Sequence, residues 1–215
     1  METKIIRSVN NRQEDIINDI LNLHNDGNGI DVDVTYSKGV FYKSGEVKQP
    51  KLKFDLTPQT EDTIQASSSN LPLEDSSVKC SMFDPPFVIA GKTYKTNDEG
   101  SSKIAKRFSA YENYEQLKEH YSSTLKELDR ITDNNGIIIV KCQNTVSSGK
   151  QHFTHFFLMN EALKLGLYPK DEFILLLKAK MTSFGGRWKK QQHAMKYHSF
   201  FIVFQKKSCK INYNL

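Results

Sequence analysis

The sequence predicts an α/β fold in which a largely parallel sheet carries helices on both faces. Short apolar runs with strand character recur along the chain. Segments with helical spacing of apolar residues separate these runs in both halves of the chain, as in a sheet built from crossover connections. The last strand follows a short, poorly helical link and is therefore expected to enter the sheet antiparallel. The 215 residues are enough for one compact domain, predicted to span 1–215.

Helical spacing predicts helices over 12–24, 102–133 and 153–165. Seven strands are expected, of which 78–83 is the strongest in the first half and 137–140 reads as buried on both faces. Glycines and polar clusters mark the connections between these elements. The seven expected strands are 30–36, 51–56, 63–66, 78–83, 137–140, 173–177 and 199–205.

The turn after strand 78–83 is the most informative part of the chain. It reads Asp84-Pro85-Pro86-Phe87, and two prolines cannot continue a strand ladder. The result is a stiff turn at the carboxyl end of a strand, where open α/β sheets bind ligands. Asp84 and the Pro85 carbonyl can accept hydrogen bonds from an exocyclic amine, and Phe87 can stack on its ring. A solvated turn is the alternative interpretation.

This tetrapeptide resembles the catalytic motif of S-adenosylmethionine-dependent amino-methyltransferases acting on adenine N6 or cytosine N4. Seven strands with an antiparallel last strand match the class I methyltransferase (Rossmann-like) fold, and the resemblance covers about residues 12–207. It implies a direct methyl displacement at a base that is flipped out or single-stranded. It favours adenine N6 in DNA, with low sequence specificity because the chain has little room for a recognition region. An RNA amino-methyltransferase and a non-catalytic nucleic-acid-binding subunit are the alternatives.

Residues 1–90 form the cofactor half in this interpretation. The segment 33–39 resembles a divergent form of the family's Asp-Pro-Phe-x-Gly-x-Gly loop, with a serine where the first glycine would stand. An acid at the end of the second strand can accept both ribose hydroxyls, and the loop after the third strand is expected at the adenine ring or, alternatively, in the core. The predicted S-adenosylmethionine contacts are Asp33, Thr35, Ser37, Gly39, Asp55, Asn70 and Leu71.

Residues 91–215 form the target-binding half, and their charge favours a polyanionic partner. The last third, 141–215, holds 13 of the 30 Lys and Arg residues but 3 of the 25 Asp and Glu residues. The segment 92–106 is a second basic arm. DNA is the preferred partner and RNA the alternative, and a homodimer or a partner subunit stays open. The predicted substrate contacts are Lys141, Gln143, Arg187, Trp188, Lys189 and Lys190, which include basic and aromatic side chains suited to phosphates and unpaired bases; a snorkelling surface side chain is the alternative for Lys141.

Other classes of function find little support in the sequence. The three cysteines are scattered without a CxxC pair, so neither a disulfide framework nor a zinc site is indicated. His152 and His155 have metal-pair spacing but lack further ligands, so no metal is expected. An apolar run that could span a bilayer and a signal-peptide pattern are both absent, and a reducing cytoplasm is the expected compartment.

Overall fold

The fold is built around one eight-stranded sheet. The computed structural model describes residues 5–89, 111–177 and 192–213. Its strands are β1 (Val9–Asn10), β2 (Val32–Asp33), β3 (Leu52–Asp55), β4 (Ile64–Gln65), β5 (Val78–Phe83), β6 (Thr132–Cys142), β7 (Thr145–Ser147), β8 (Lys150–His152), β9 (Tyr168–Leu176) and β10 (His198–Gln205). Its helices are α1 (Gln13–His24), α2 (Tyr114–Ile131) and α3 (Thr154–Lys164), with a 3-10 helix at Val40–Tyr42.

The strand order across the sheet is β4-β3-β2-β5-β6-β10-β9-β1. β10 runs antiparallel to both of its neighbours, β6 and β9, whereas every other neighbouring pair in this sheet is parallel. This topology confirms the predicted fold class, a mostly parallel sheet with an antiparallel last strand.

The strand count differs from the expected seven because β1 adds an edge strand beside β9. Its two residues pair in parallel through Val9 and Ile174. A second addition is the separate β7–β8 hairpin, which lies between the expected strand 137–140 and the expected helix 153–165. Ser148 and Gly149 connect its strands with φ of 50° and 74°, and a two-residue turn with positive φ at both positions matches the twist of a hairpin.

Two apolar cores cover the two faces of the sheet. Along β6, Ile138 and Val140 belong to the core that contains α2 and α3, while Ile137 and Ile139 belong to the core that contains α1 and the 3-10 helix. All four side chains are 0–1% exposed. Burial on both faces explains why this strand reads as an unbroken apolar run rather than an alternating one.

Element ends differ from prediction where side chains redirect the backbone. The strand expected over 30–36 shortens to β2 because the Asp33 carboxylate accepts from the Thr35 amide and the chain turns there. The helix expected from 102 is described from Tyr114, where Asn113 caps it by accepting from the Gln116 amide; residues 102–110 lie outside the described residues. Among the described helices, none combines the length and apolar character that crossing a bilayer requires.

Candidate functional site

The predicted acidic residues meet at one edge of the sheet. Asp33 ends β2, Asp55 ends β3, and Asp84 directly follows β5. Lys141 is the second-to-last residue of β6. Since β3, β2, β5 and β6 are neighbouring parallel strands, their carboxyl ends lie together. This is the edge at which doubly wound sheets bind ligands.

Asp33 lies beneath this edge and shapes the loop above it. Its side chain is buried, with Oδ1 accepting from the Thr35 amide at 2.9 Å and Oδ2 accepting from the Tyr42 hydroxyl at 2.7 Å. Burial raises the pKa of Asp33 to about 7, against the opposing effect of these two hydrogen bonds. Asp33 therefore holds the loop from inside.

A hydrogen bond joins the predicted cofactor loop to the predicted catalytic turn, residues 84–87. The amide of Asp84 donates to Oγ1 of Thr35 at 2.8 Å. The Thr35 amide is itself tied to Asp33, so the three residues form one connected chain from the end of β2 to the turn after β5. The position of the Asp84 backbone thus depends on the conformation of the cofactor loop.

The loop between β2 and the 3-10 helix needs left-handed backbone at two positions. Ser37 has φ of 50° and Gly39 has φ of 61°. Glycine adopts such angles without a steric cost, whereas a serine is strained there. At Gly39, an added Cβ would meet Cζ of Tyr36 at 2.5 Å. Ser37 therefore occupies a glycine-like position, and Gly39 could not be replaced without moving Tyr36.

Asp55 supports the same loop from β3. Its Oδ2 accepts from the Ser37 amide at 2.9 Å and its Oδ1 accepts from the Thr57 amide at 2.8 Å. An ionised carboxylate has about four acceptor positions, so each oxygen retains capacity for a further hydrogen bond. The half-buried Asp55 can thus hold the loop and still accept from a ligand hydroxyl.

Asn70 and Leu71, predicted at the adenine ring, have different environments. Asn70 is exposed, with its amide donating to the Ser67 carbonyl at 3.0 Å. Leu71 is 4% exposed and packs in the core of α2 and α3, and its amide donates to Oε1 of Glu127 at 2.7 Å. The Leu71 side chain therefore lies in the core, which was the alternative expectation for this loop. Asn70 faces solvent.

Asp84 faces a buried lysine. Nζ of Lys141 lies 3.3 Å from Asp84 Oδ2, and the two side chains are 11% and 23% exposed respectively. Burial raises the pKa of Asp84 above its ordinary value, while the charge and hydrogen bond of Lys141 act in the opposite direction. The acceptor proposed from the sequence is thus one half of an enclosed ion pair.

Aromatic rings complete the surroundings of this pair. Lys141 Nζ lies 4.8 Å from the centroid of the Phe41 ring, 5.5 Å from Phe201 and 5.8 Å from Phe87. Phe87 and Pro86 are half-buried, whereas Pro85 is buried. Phe87 therefore belongs to the surroundings of Lys141, and its stacking on a base stays a prediction.

The other predicted target contacts are less accessible or lie outside the described residues. Nε2 of Gln143 donates to the His198 carbonyl at 2.9 Å, so this amide contacts the beginning of β10. Arg187, Trp188, Lys189 and Lys190 fall outside the described residues, as does the basic arm 92–106.

The two histidines with metal-pair spacing have separate neighbours. His152 stacks on Tyr114 with ring centroids 3.9 Å apart, and His155 stacks on Phe200 at 4.5 Å. Nδ1 of His155 is 2.8 Å from Asn144 Oδ1. Over residues 5–89, 111–177 and 192–213, no group of three or more His, Cys, Asp or Glu residues is arranged to hold a metal ion.

Sequence reasoning missed the residues that surround the predicted ones. Tyr42 donates to Asp33 from the 3-10 helix, and Phe41 and Phe201 approach Lys141 from segments 160 positions apart. A local signal existed for Tyr42, because the aromatic pair Phe41-Tyr42 stands one residue beyond the Gly39 position, after Val40. The convergence of distant rings on one lysine has no such local signal.

Comparisons with known proteins show only remote likeness. No protein-family model matches the chain, and no curated protein matches it. A candidate DNA modification methylase from Thermus thermophilus, complexed with S-adenosyl-L-methionine, is 13% identical with a TM-score of 0.45, over 67% of this chain and 54% of that one. The cytosine-N4-specific PvuII DNA methyltransferase is 14% identical with a TM-score of 0.45, over 69% and 48%.

A third similar structure is a SAM-dependent methyltransferase from Thermotoga maritima, 15% identical with a TM-score of 0.47, over 84% of this chain and 83% of that one. The match spans about half the length of the Thermus and PvuII proteins. At these levels of similarity, the fold assignment rests on the order and direction of the strands themselves.

Proposed function

We propose that this chain is an S-adenosylmethionine-dependent methyltransferase whose target is an exocyclic amino group of a nucleobase, with adenine N6 in DNA as the leading substrate. The observation that carries the proposal is the position of Asp84. Asp84 directly follows β5 at the carboxyl end of that strand, and Pro85 and Pro86 restrict the backbone that comes after it. Its amide donates a hydrogen bond to Thr35 of the proposed cofactor loop. Methyl acceptor and methyl donor would thus meet at one sheet edge.

The cofactor half contains groups that fit S-adenosylmethionine. Asp55 retains acceptor capacity for ribose hydroxyls beyond its two backbone hydrogen bonds. The loop from Thr35 to Gly39 would hold the methionine moiety. Asn70, which is exposed and follows β4, would contact the adenine edge. When bound, this cofactor supplies an electrophilic methyl group.

Asp84 and the Pro85 carbonyl supply the acceptors that the reaction requires. Each accepts one hydrogen of the target amine, which turns the nitrogen lone pair out of conjugation with the base and toward the methyl carbon. Phe87 stacks on the base and restricts its orientation. With S-adenosylmethionine bound, a nitrogen–carbon bond would form as the carbon–sulfur bond breaks, and the electron pair of the broken bond would remain on sulfur. Because an aromatic amine is a very poor acid, its proton leaves after transfer, to Asp84 or to water.

The substrate half of the proposal rests on charge and on access. A base inside a duplex cannot reach Asp84, so the substrate is a flipped or unpaired base. The basic last third of the chain is suited to the phosphates on either side of that base.

The test is a tritiated methyl transfer assay on duplex DNA, single-stranded DNA and total RNA, with mass spectrometry of the digested nucleosides. N6-methyladenine in DNA supports the leading proposal, and N4-methylcytosine would keep the mechanism but change the base. Label found only in RNA would overturn the choice of DNA. Absence of label together with absence of S-adenosylmethionine binding would overturn the enzyme itself and favour a nucleic-acid-binding subunit.

A further inference from the structure

Lys141 is enclosed in a way that a surface contact residue is not. Its side chain is 11% exposed, although it stands near the end of β6 where a lysine could extend into solvent. The ammonium group instead turns inward to Asp84 Oδ2 at 3.3 Å. The rings of Phe41, Phe87 and Phe201 approach it at 4.8–5.8 Å, within the range of cation–π attraction. The structure thus supports neither a snorkelling lysine nor one free to reach a phosphate.

We propose that Lys141 is a positioning residue for methyl transfer: its ammonium group fixes Oδ2 of Asp84 and keeps the carboxylate an acceptor, which leaves Oδ1 for the target amine. This inference rests on the proposed function. It gives Lys141 a role other than the nucleic-acid contact that a basic residue alone would suggest. The three rings in turn restrict the Lys141 side chain, which keeps its ammonium group at Asp84.

The chemistry of the acceptor explains why such a partner is needed. A carboxylate has acceptor oxygens only, whereas its protonated form carries a hydroxyl donor that would face the amine hydrogens unfavourably. Burial at the sheet edge favours the protonated form of Asp84. A cation in contact with one oxygen offsets that preference and orients the other oxygen at the same time.

Among the groups near Asp84, Lys141 supplies the positive charge that favours its ionised form. The negative charge of Asp84 is among the causes that raise the pKa of Asp33 on β2, of Tyr121 on α2 and of Cys142 on β6. Burial raises the pKa of both Tyr121 and Cys142 well above their ordinary values, so both are neutral near pH 7. Within the described part of the chain, Lys141 is the cation in contact with the Asp84 carboxylate.

The experiment compares Lys141→Met and Lys141→Gln with Lys141→Arg, which retains the charge. Lys150→Met is the matched control, because this exposed lysine lies in the hairpin that follows β6. Circular dichroism first confirms that each variant is folded. The pKa of Asp84 is then measured in the substrate-free proteins by carboxyl 13C NMR titration, with the resonance assigned by its loss in Asp84→Asn. The pH profile of kcat/KM is measured in parallel.

Loss of the charge is expected to raise the pKa of Asp84 by about one to three pH units, the usual effect of an opposite charge at this distance. The acid limb of the kcat/KM profile should move to higher pH by a similar amount. In Lys141→Arg and Lys150→Met, the Asp84 pKa and the acid limb should both stay close to their wild-type values. An unchanged Asp84 pKa in the Met and Gln variants would overturn the inference. So would a loss confined to KM for nucleic acid, with a reduced salt dependence, which is the signature of a lost phosphate contact.

The two readouts separate this inference from the proposed function. The NMR titration needs no methyl transfer, so it tests the action of Lys141 on Asp84 directly. If the wild type transfers methyl groups but the titration does not respond to Lys141, the inference fails alone. If the titration responds but the wild type modifies none of the DNA or RNA substrates, the proposed function fails, and a role in methyl transfer fails with it.

Discussion

Replacing Thr35 with valine should remove the hydrogen bond that joins the proposed catalytic turn to the proposed cofactor loop. Valine keeps the shape and the restricted χ1 of threonine but has no oxygen to accept from the Asp84 amide, a bond of 2.8 Å. Thr35→Ser is the matched control, because it keeps the oxygen and removes a methyl group instead.

The expected magnitude follows from what the substitution leaves unpaired. A buried amide that loses its acceptor costs about 1–3 kcal/mol. Thr35 and Asp84 are both half-buried, so the lower half of that range, about 1–2 kcal/mol, is expected for the free energy of unfolding. Thr35→Ser should cost less than about 1 kcal/mol, the value of one methyl group. Displacement of the Asp84 turn by a fraction of an ångström should slow single-turnover methyl transfer by about 10- to 100-fold.

Urea denaturation measures the free energy of unfolding. Single-turnover kinetics at saturating cofactor measure the rate of methyl transfer. S-adenosylmethionine affinity, followed by calorimetry, should change far less than the transfer rate, because the affected hydrogen bond is to the acceptor turn. If Thr35→Val and Thr35→Ser have equal stabilities and equal transfer rates, the hydrogen bond does not position Asp84 and the reasoning is refuted.

Two further substitutions test the loop and its buried acid. Gly39→Ala should destabilise the fold by about 2–4 kcal/mol, from left-handed backbone strain and displacement of the Tyr36 ring. Gly45→Ala is the control, because Gly45 has φ of 77° but nothing within 4 Å of an added Cβ, and it should cost about 1 kcal/mol. Equal losses of unfolding free energy in urea would contradict a steric clash between residue 39 and Tyr36. Because burial raises the folded-state pKa of Asp33 to about 7, from an ordinary value of 3.8, its contribution to stability is full below pH 4 and is lost as pH rises toward 7. Asp33→Asn should therefore flatten the decline in unfolding free energy between about pH 4 and about pH 7, and an unchanged slope in that range would contradict the buried-acid assignment.

Local patterns predicted the elements whose structure depends on local chemistry. The strand Val78–Phe83 was predicted with its observed bounds, because a continuous apolar run ends at prolines that cannot extend it. Gly39 and Ser37 stand where a glycine-rich loop was expected, and both have positive φ. The backbone requirement of the loop is therefore visible in sequence even where serine replaces glycine.

Non-local contacts account for most of what the sequence did not predict. β1 forms because a two-residue segment pairs with the edge of β9. No periodicity in the sequence indicates this strand. The contact of Lys141 with substrate stays a prediction. Its position among the rings of Phe41, Phe87 and Phe201, which three separate segments contribute, was not predicted. Such a convergence depends on strand order and register, which composition and spacing do not specify.

The most direct test of the central proposal measures S-adenosylmethionine binding and methyl transfer side by side in the wild type and in Asp84→Ala. Both proteins are first shown to be folded by circular dichroism, and binding is measured by calorimetry. The proposal predicts similar cofactor affinities and a loss of transfer of about 10²- to 10³-fold or more in the variant, as when a group that stabilises the transition state is removed. Transfer at the wild-type rate by Asp84→Ala would contradict it.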